Sequence, residues 1–240
     1  SLLLAAQMDN TDYVGFTFFV GCMAMMAASV FFFFSMNMVE GKWKTSLLVS
    51  GLITLIAAVH YYYMRDYWAA TEDSPTFFRY VDWILTVPLM CVEFYLILKA
   101  AGAQVNLLWK LIAASAVMLV TGYFGEAVYR DAAAMWGLFS GIAYFYIVYL
   151  IMFGEAKALA DKSSAGVQNA HKLLCRFVLI GWAIYPIGYM VGTGEGQWYS
   201  FLQGAVDMDV IYNIGDAINK IGFGLVVYAL SLIHISEPTR

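Results

Sequence analysis

The sequence predicts an all-α membrane protein, a seven-transmembrane-helix bundle with its N-terminus outside and its C-terminus cytoplasmic. Three observations carry this. First, hydrophobic residues make up 62% of the 240 residues and charged residues only 12%, against about 25% charged in a soluble domain. Second, seven apolar stretches long enough to cross a bilayer alternate with short polar links. Third, the cations are unevenly shared between the two sets of links, which orients the chain. The length suits one bundle, a single domain over 1–230, with 231–240 set apart as a tail of cloning-scar character. A net charge of -4 is too small to imply an acidic or basic partner, and nothing suggests nucleic-acid binding.

The predicted spans run over 13–39, 45–63, 76–98, 107–124, 132–153, 177–191 and 210–230. The first has no charged residue, and the second is interrupted only by His60. The sixth begins after a polar turn near His171 and Lys172, and 155–172 is the longest polar segment. Links one–two, three–four and five–six hold Lys42, Lys44, Lys99, Lys110, Lys157, Lys162, Lys172 and Arg176. The opposite side holds Arg65 and Arg130 with acids such as Asp9, Asp12, Glu72, Asp73, Asp207 and Asp209. The lysine-rich side is therefore cytoplasmic. The chain starts at Ser1, and Leu2-Leu3-Leu4-Ala5-Ala6 has the character of a signal remnant but is too short to decide.

The third span is the one the others are organised around. Arg79, Asp82, Thr86 and Glu93 fall within about 60° of one another on a helical wheel and line one face. Asp82 and Glu93 lie about 16 Å apart along the axis, roughly half of a bilayer's hydrocarbon core. Ionisable groups at that depth are costly and face a bundle interior or an ion path. Asp82 lies toward the outside and Glu93 toward the cytoplasm.

Lys220 sits in the middle of the seventh span, one turn beyond Asp216 on the same face. Two readings of that pair stand open on the residues alone. One is a buried ion pair that fixes helix packing. The other is a lysine made into a Schiff base with an aldehyde, counter-charged by Asp216 and Asp82. Trp182, Tyr185 and Pro186 share a face of the sixth span, and Trp83 and Tyr212 add aromatic surface from the third and seventh. Singly each is ordinary core; together they suit a flat apolar chromophore. His60, at the depth of Asp82, is either a satisfied core histidine or a hydrogen-bond partner of that carboxylate. Glu126, near the outer end of the fourth span, is either a surface acid or part of a proton path. Cys22, Cys91 and Cys175 sit in apolar stretches without a CxxC and are expected to be buried structural thiols. The glycine-rich 192–196 follows no strand and carries no phosphate role. No metal-ligand cluster occurs, so no metal is expected.

Arg79-Tyr80-Val81-Asp82-Trp83-Ile84-Leu85-Thr86-Val87-Pro88, Trp182-Ala183-Ile184-Tyr185-Pro186 and Asp216-Ala217-Ile218-Asn219-Lys220 together resemble the microbial rhodopsins and, within them, the proteorhodopsins. The likeness covers nearly the whole chain, from Asp12 to about Tyr228. It implies all-trans retinal bound to Lys220, with Met90 and Met118 beside the aromatic residues of its pocket. It further implies Asp82 as counterion and primary proton acceptor, Asp216 as second counterion, Arg79 on the outer side of that complex and Glu93 as cytoplasmic donor. Thr86 completes the Asp–Thr–Glu pattern, and His60 resembles the histidine that tunes the acceptor. Glu126 matches a glutamate implicated in proton release. Met90, eight residues after Asp82, stands where an apolar side chain goes with green absorption and Gln with blue. The resemblance also implies a bacterial inner membrane, lipid contact and a homo-oligomer, a pentamer or hexamer. It departs from the family in the missing native-looking C-terminal tail and in Met90, where many relatives have Leu or Gln.

What the resemblance implies is an outward light-driven proton pump rather than an enzyme. The alternative is a sensory rhodopsin signalling through a membrane transducer, against which Glu93 counts, since sensors often lack a carboxylic donor. A chloride pump would need a neutral residue at Asp82, and a sodium pump a different triad.

Overall fold

The structure, a computed structural model, describes residues 11–99 and 101–236, the last three by backbone alone. The signal-like stretch 2–6, Asp9 and residues 237–240 lie outside it. Nine α-helices are described: α1 Tyr13–Ser35, α2 Lys42–Thr71, α3 Thr76–Lys99, α4 Val105–Tyr123, α5 Ala133–Met152, α6 Glu155–Ala160, α7 Ala165–Arg176, α8 Ile184–Gly192 and α9 Met208–Ser236. No strand occurs among the described residues. With short π-helical and 3₁₀ turns at their ends they make seven apolar spans of membrane-crossing length.

The spans follow one another around a ring. α1 packs on α2, α2 on α3, α3 on α4 and α4 on α5, and α7 and α8 close the ring through α9 onto α1 and α2. Large apolar side chains such as Phe34, Leu138, Phe145 and Ile180 point outward, as a lipid-facing surface requires. The third span is 61% buried over its most apolar window and the fifth only 28%, so α3 is the inner wall and α5 an outer one.

Local chemistry starts and stops these helices. The Asp12 carboxylate accepts from Gly15 N at 2.8 Å and from the Trp68 indole at 3.2 Å, capping α1 and pinning it to the far end of α2. Glu72 ends α2 in the left-handed region at φ 56°. In α3, Pro88 removes the amide that would meet Ile84.

Three boundaries differ from the sequence expectation. The second span extends to Thr71 because Tyr61 and Met64 bury into the bundle and Trp68 packs on Phe18. The expected polar turn at His171 and Lys172 is helix: α7 has one apolar face, and Val167, Ala170, His171 and Leu174 bury from it. The seventh helix continues past 230, with Ser231 buried and its hydroxyl donating to Tyr228 O. Residues 231–236 thus carry on the helix instead of leaving it.

Candidate functional site

The inner face of α3 meets α9 at a buried cluster of charge. Lys220, 3% exposed, donates from Nζ to Asp82 Oδ2 at 2.6 Å and lies 3.1 Å from Asp216 Oδ1. Both carboxylates are fully buried. Taking three charges out of water is tolerated only because they answer one another.

The two carboxylates are held differently. Asp216 also accepts from Tyr185 OH at 2.7 Å, Tyr61 OH at 2.8 Å and the Trp83 indole at 3.0 Å. Asp82 receives Lys220 on Oδ2, and its Oδ1 has no hydrogen-bond partner among the described residues. Fixed donors favour the charged form of a carboxylate. Asp216 is therefore held by fixed donors on both oxygens, while Asp82 keeps an oxygen free.

One expected contact is corrected by this geometry. His60 does not hydrogen-bond Asp82: its Nδ1 stands 3.8 Å from Oδ1 and donates to the Ile56 carbonyl at 2.8 Å. Thr86 spends its hydroxyl on the Asp82 backbone carbonyl, at 2.9 Å, not on the carboxylate. Arg79, wholly buried, engages Asp209 at 2.7 Å, Asn213 at 3.0 Å and Tyr61 OH at 3.3 Å. It reaches the inner carboxylates only through Tyr61. Asp209, counted in the sequence among the outer acids, is 3% exposed beneath the surface.

Glu93 lies along the same face toward the other end of α3, fully buried and accepting from Ser50 Oγ at 2.6 Å. Glu126 is no surface acid. A π-helical turn over Phe124–Val128 carries it inward to 2% exposure, where Tyr80 OH donates at 2.8 Å and Tyr212 OH at 3.3 Å.

Beside the charged cluster lies a cavity of about 120 Å³. Trp83, Met118, Trp182, Tyr185, Pro186 and Tyr212 line it, all singled out in the sequence. Met90 and Lys220 do not; Met90 is packed in the core at 2% exposure. Glycines 122, 137 and 141 also contribute to the wall. A Cβ on Gly141 would meet nothing within 4 Å, so the space there is open. The walls are mostly apolar and aromatic, and Trp83 and Tyr185, which line them, also bond Asp216 beside the Lys220 amine.

Sequence reasoning missed Tyr61, Asn213, Asp209, Ser50 and the cavity glycines. Asp209 carried a usable signal: it lies seven residues, two turns, before Asp216 and so shares its face.

A family model for bacteriorhodopsin-like proteins matches residues 12–233. The chain is 45% identical over 234 residues to the green-light absorbing proteorhodopsin of Gamma-proteobacterium EBAC31A08, covering 96% of this chain and 91% of that one. It is 44% identical over 236 residues to the blue-light absorbing proteorhodopsin of Gamma-proteobacterium Hot 75m4, covering 96% and 91%. Among solved structures, the blue light-absorbing proteorhodopsin from Med12 superposes with a TM-score of 0.77 at 40% identity, over 92% of this chain and 99% of that one.

Proposed function

The chain belongs to the bacteriorhodopsin-like protein family, and from that membership we propose that it is a light-driven pump moving protons outward across a bacterial inner membrane. Trp83, Met118, Trp182, Tyr185, Pro186 and Tyr212 would hold all-trans retinal joined to Lys220 Nζ, which would supply light absorption and a light-driven change in the proton affinity of that nitrogen. The observation that carries the reading is the unequal solvation of the two carboxylates beside Nζ.

Asp82 takes the proton from Nζ across the 2.6 Å contact, because its free oxygen leaves its charge the less stabilised of the pair. Asp216 stays charged, oriented by two phenols and an indole. Trp83 and Tyr185 thus serve both the cavity wall and the counter-charge. Glu93, which pairs with no cation among the described residues, holds a proton on the lysine-rich side and returns it to Nζ. Ser50 fixes its orientation. Thr86 ties the Asp82 turn of α3, and His60 borders Asp82 without bonding it. Met90, apolar and buried, is read as a spectral tuning position, and Glu126 as a carboxylate near the exit. The pentamer or hexamer is supported by family membership alone.

Cells supplied with retinal are expected to acidify their medium on illumination, the signal vanishing with a protonophore. Lys220→Ala is expected to be colourless and silent. A coloured wild-type protein that leaves the medium unchanged would overturn the pump and favour the sensory reading.

A further inference from the structure

Asn219 stands next to Lys220 in α9 and is 2% exposed. From Nδ2 it donates to Gly181 O at 2.9 Å and to Tyr185 OH at 3.4 Å. Its Oδ1 has no hydrogen-bond partner among the described residues, so the side chain is held by what it donates. Tyr185 OH donates in turn to Asp216 Oδ1 at 2.7 Å, and that oxygen lies 3.1 Å from Lys220 Nζ. An amide, a phenol and a carboxylate thus form a directed chain that ends on one side of the Lys220 ammonium. Asp82, on the other side, keeps its Oδ1 unbonded. The Gly181 carbonyl fixes the direction of the amide, because a reversed amide would set two acceptor oxygens face to face.

We propose that Asn219 is a positioning residue that selects the proton acceptor: it occupies the Tyr185 oxygen, so that the phenol hydrogen is committed to Asp216 and Asp82 is left to take the proton from Nζ. The proposal rests on the pump reading above. The transfer itself is unchanged. The N–H bond at Nζ breaks as an O–H bond forms at Asp82, and the phenol keeps its own proton.

Two observations support it. A phenol has one hydrogen to give and an oxygen that also accepts. With Asn219 donating to that oxygen, the hydrogen goes to Asp216, and bonds in such a chain polarise and strengthen one another. The second observation is the anchor. The other amide hydrogen is tied to Gly181 O, at the end of the π-helical turn Phe177–Gly181, so Tyr185 is held against fixed backbone. Asn219 is not among the residues that line the cavity. It acts on the carboxylates through Tyr185.

The test isolates the competing acceptor. In retinal-loaded Asp82→Asn, Asp216 is the carboxylate left beside Nζ. Adding Asn219→Leu keeps the size of the side chain and removes its donor. It is expected to raise the fraction of Nζ that deprotonates after a flash on the order of fivefold, the effect of one lost hydrogen bond, with a protonated-carboxyl band in the infrared. Tyr144→Phe in the same background removes another bond to the same turn and is expected to give no rise. In the dark wild-type protein, magnetic resonance is expected to show a dipolar contact between Asn219 Nδ2 and Tyr185 Cζ. That measurement decides the matter if Asn219→Leu forms no pigment. No rise with Asn219→Leu, an equal rise with Tyr144→Phe, or no dipolar contact would overturn Asn219 as the selector. Wild-type protein whose Nζ never deprotonates in light would overturn the pump reading, and the proposal with it.

Discussion

Asp82 and Asp216 touch the same ammonium, yet their surroundings give them different work. Three fixed donors besides Lys220 surround Asp216, whereas Asp82 keeps Oδ1 unbonded. Glu93 is a third case, a buried acid with one hydroxyl for company. A lone buried carboxyl is far cheaper to keep neutral than charged, which suits a group that must hold a proton and give it up. Glu93→Gln is expected to leave colour and the transfer to Asp82 nearly intact. Return of a proton to Nζ should slow on the order of a hundredfold or more and become strongly dependent on bulk pH. Flash spectroscopy between pH 5 and 9 checks this; wild-type recovery throughout that range would make Glu93 a structural residue.

At the scale of elements, the irregular turns do more positioning than the regular helices. The π-helical turn Phe177–Gly181 ends on Trp182, whose amide bonds back to Phe177 O at 2.9 Å. Side chains take up carbonyls that this turn exposes: Tyr144 OH reaches Val178 O at 2.9 Å, and Asn219 Nδ2 reaches Gly181 O at 2.9 Å. The residue before Lys220 is thus clasped to the turn that aims Trp182 at the cavity. A Cβ on Gly181 would lie 1.9 Å from Asn219 Oδ1, nearer than any real contact. Gly181→Ala is therefore expected to destabilise the pigment by about 1–3 kcal/mol, read as a lowered melting temperature followed by visible absorption. An unchanged melting temperature would show that Asn219 swings away freely. The other π-helical turn, Phe124–Val128, brings Glu126 inward in the same manner.

At the scale of the molecule, direction depends on which end faces out. Cations crowd one set of links, and from the positive-inside rule we expect the links beside Lys99 and Lys162 to face the cytoplasm and the turn 71–75 the outside. The three native cysteines are buried, which leaves introduced ones readable against a quiet background. In intact spheroplasts an impermeant maleimide is expected to label Asp73→Cys, and to label Lys162→Cys only after permeabilisation. The reverse pattern would turn the pump inward.

Composition and spacing were enough for the seven spans, for Arg79, Asp82, Thr86 and Glu93 on one face, and for the aromatic set around the cavity. These depend on local quantities: apolar run length, helical period, and the cost of a charge in hydrocarbon. They hold whichever neighbours a helix meets. What Asp82 and Asp216 each accept, and where Arg79 points, depended on side chains arriving from other helices. Tyr61 comes from α2, Trp83 from α3, Tyr185 from α8 and Asp209 from the start of α9, up to 155 residues apart in the chain. The inward turn of Glu126 and the loss of the His60–Asp82 hydrogen bond are likewise matters of a few tenths of an ångström to a few ångströms. A helical wheel tells which face a residue is on, but only the packed bundle decides which of several donors on that face comes within hydrogen-bonding distance.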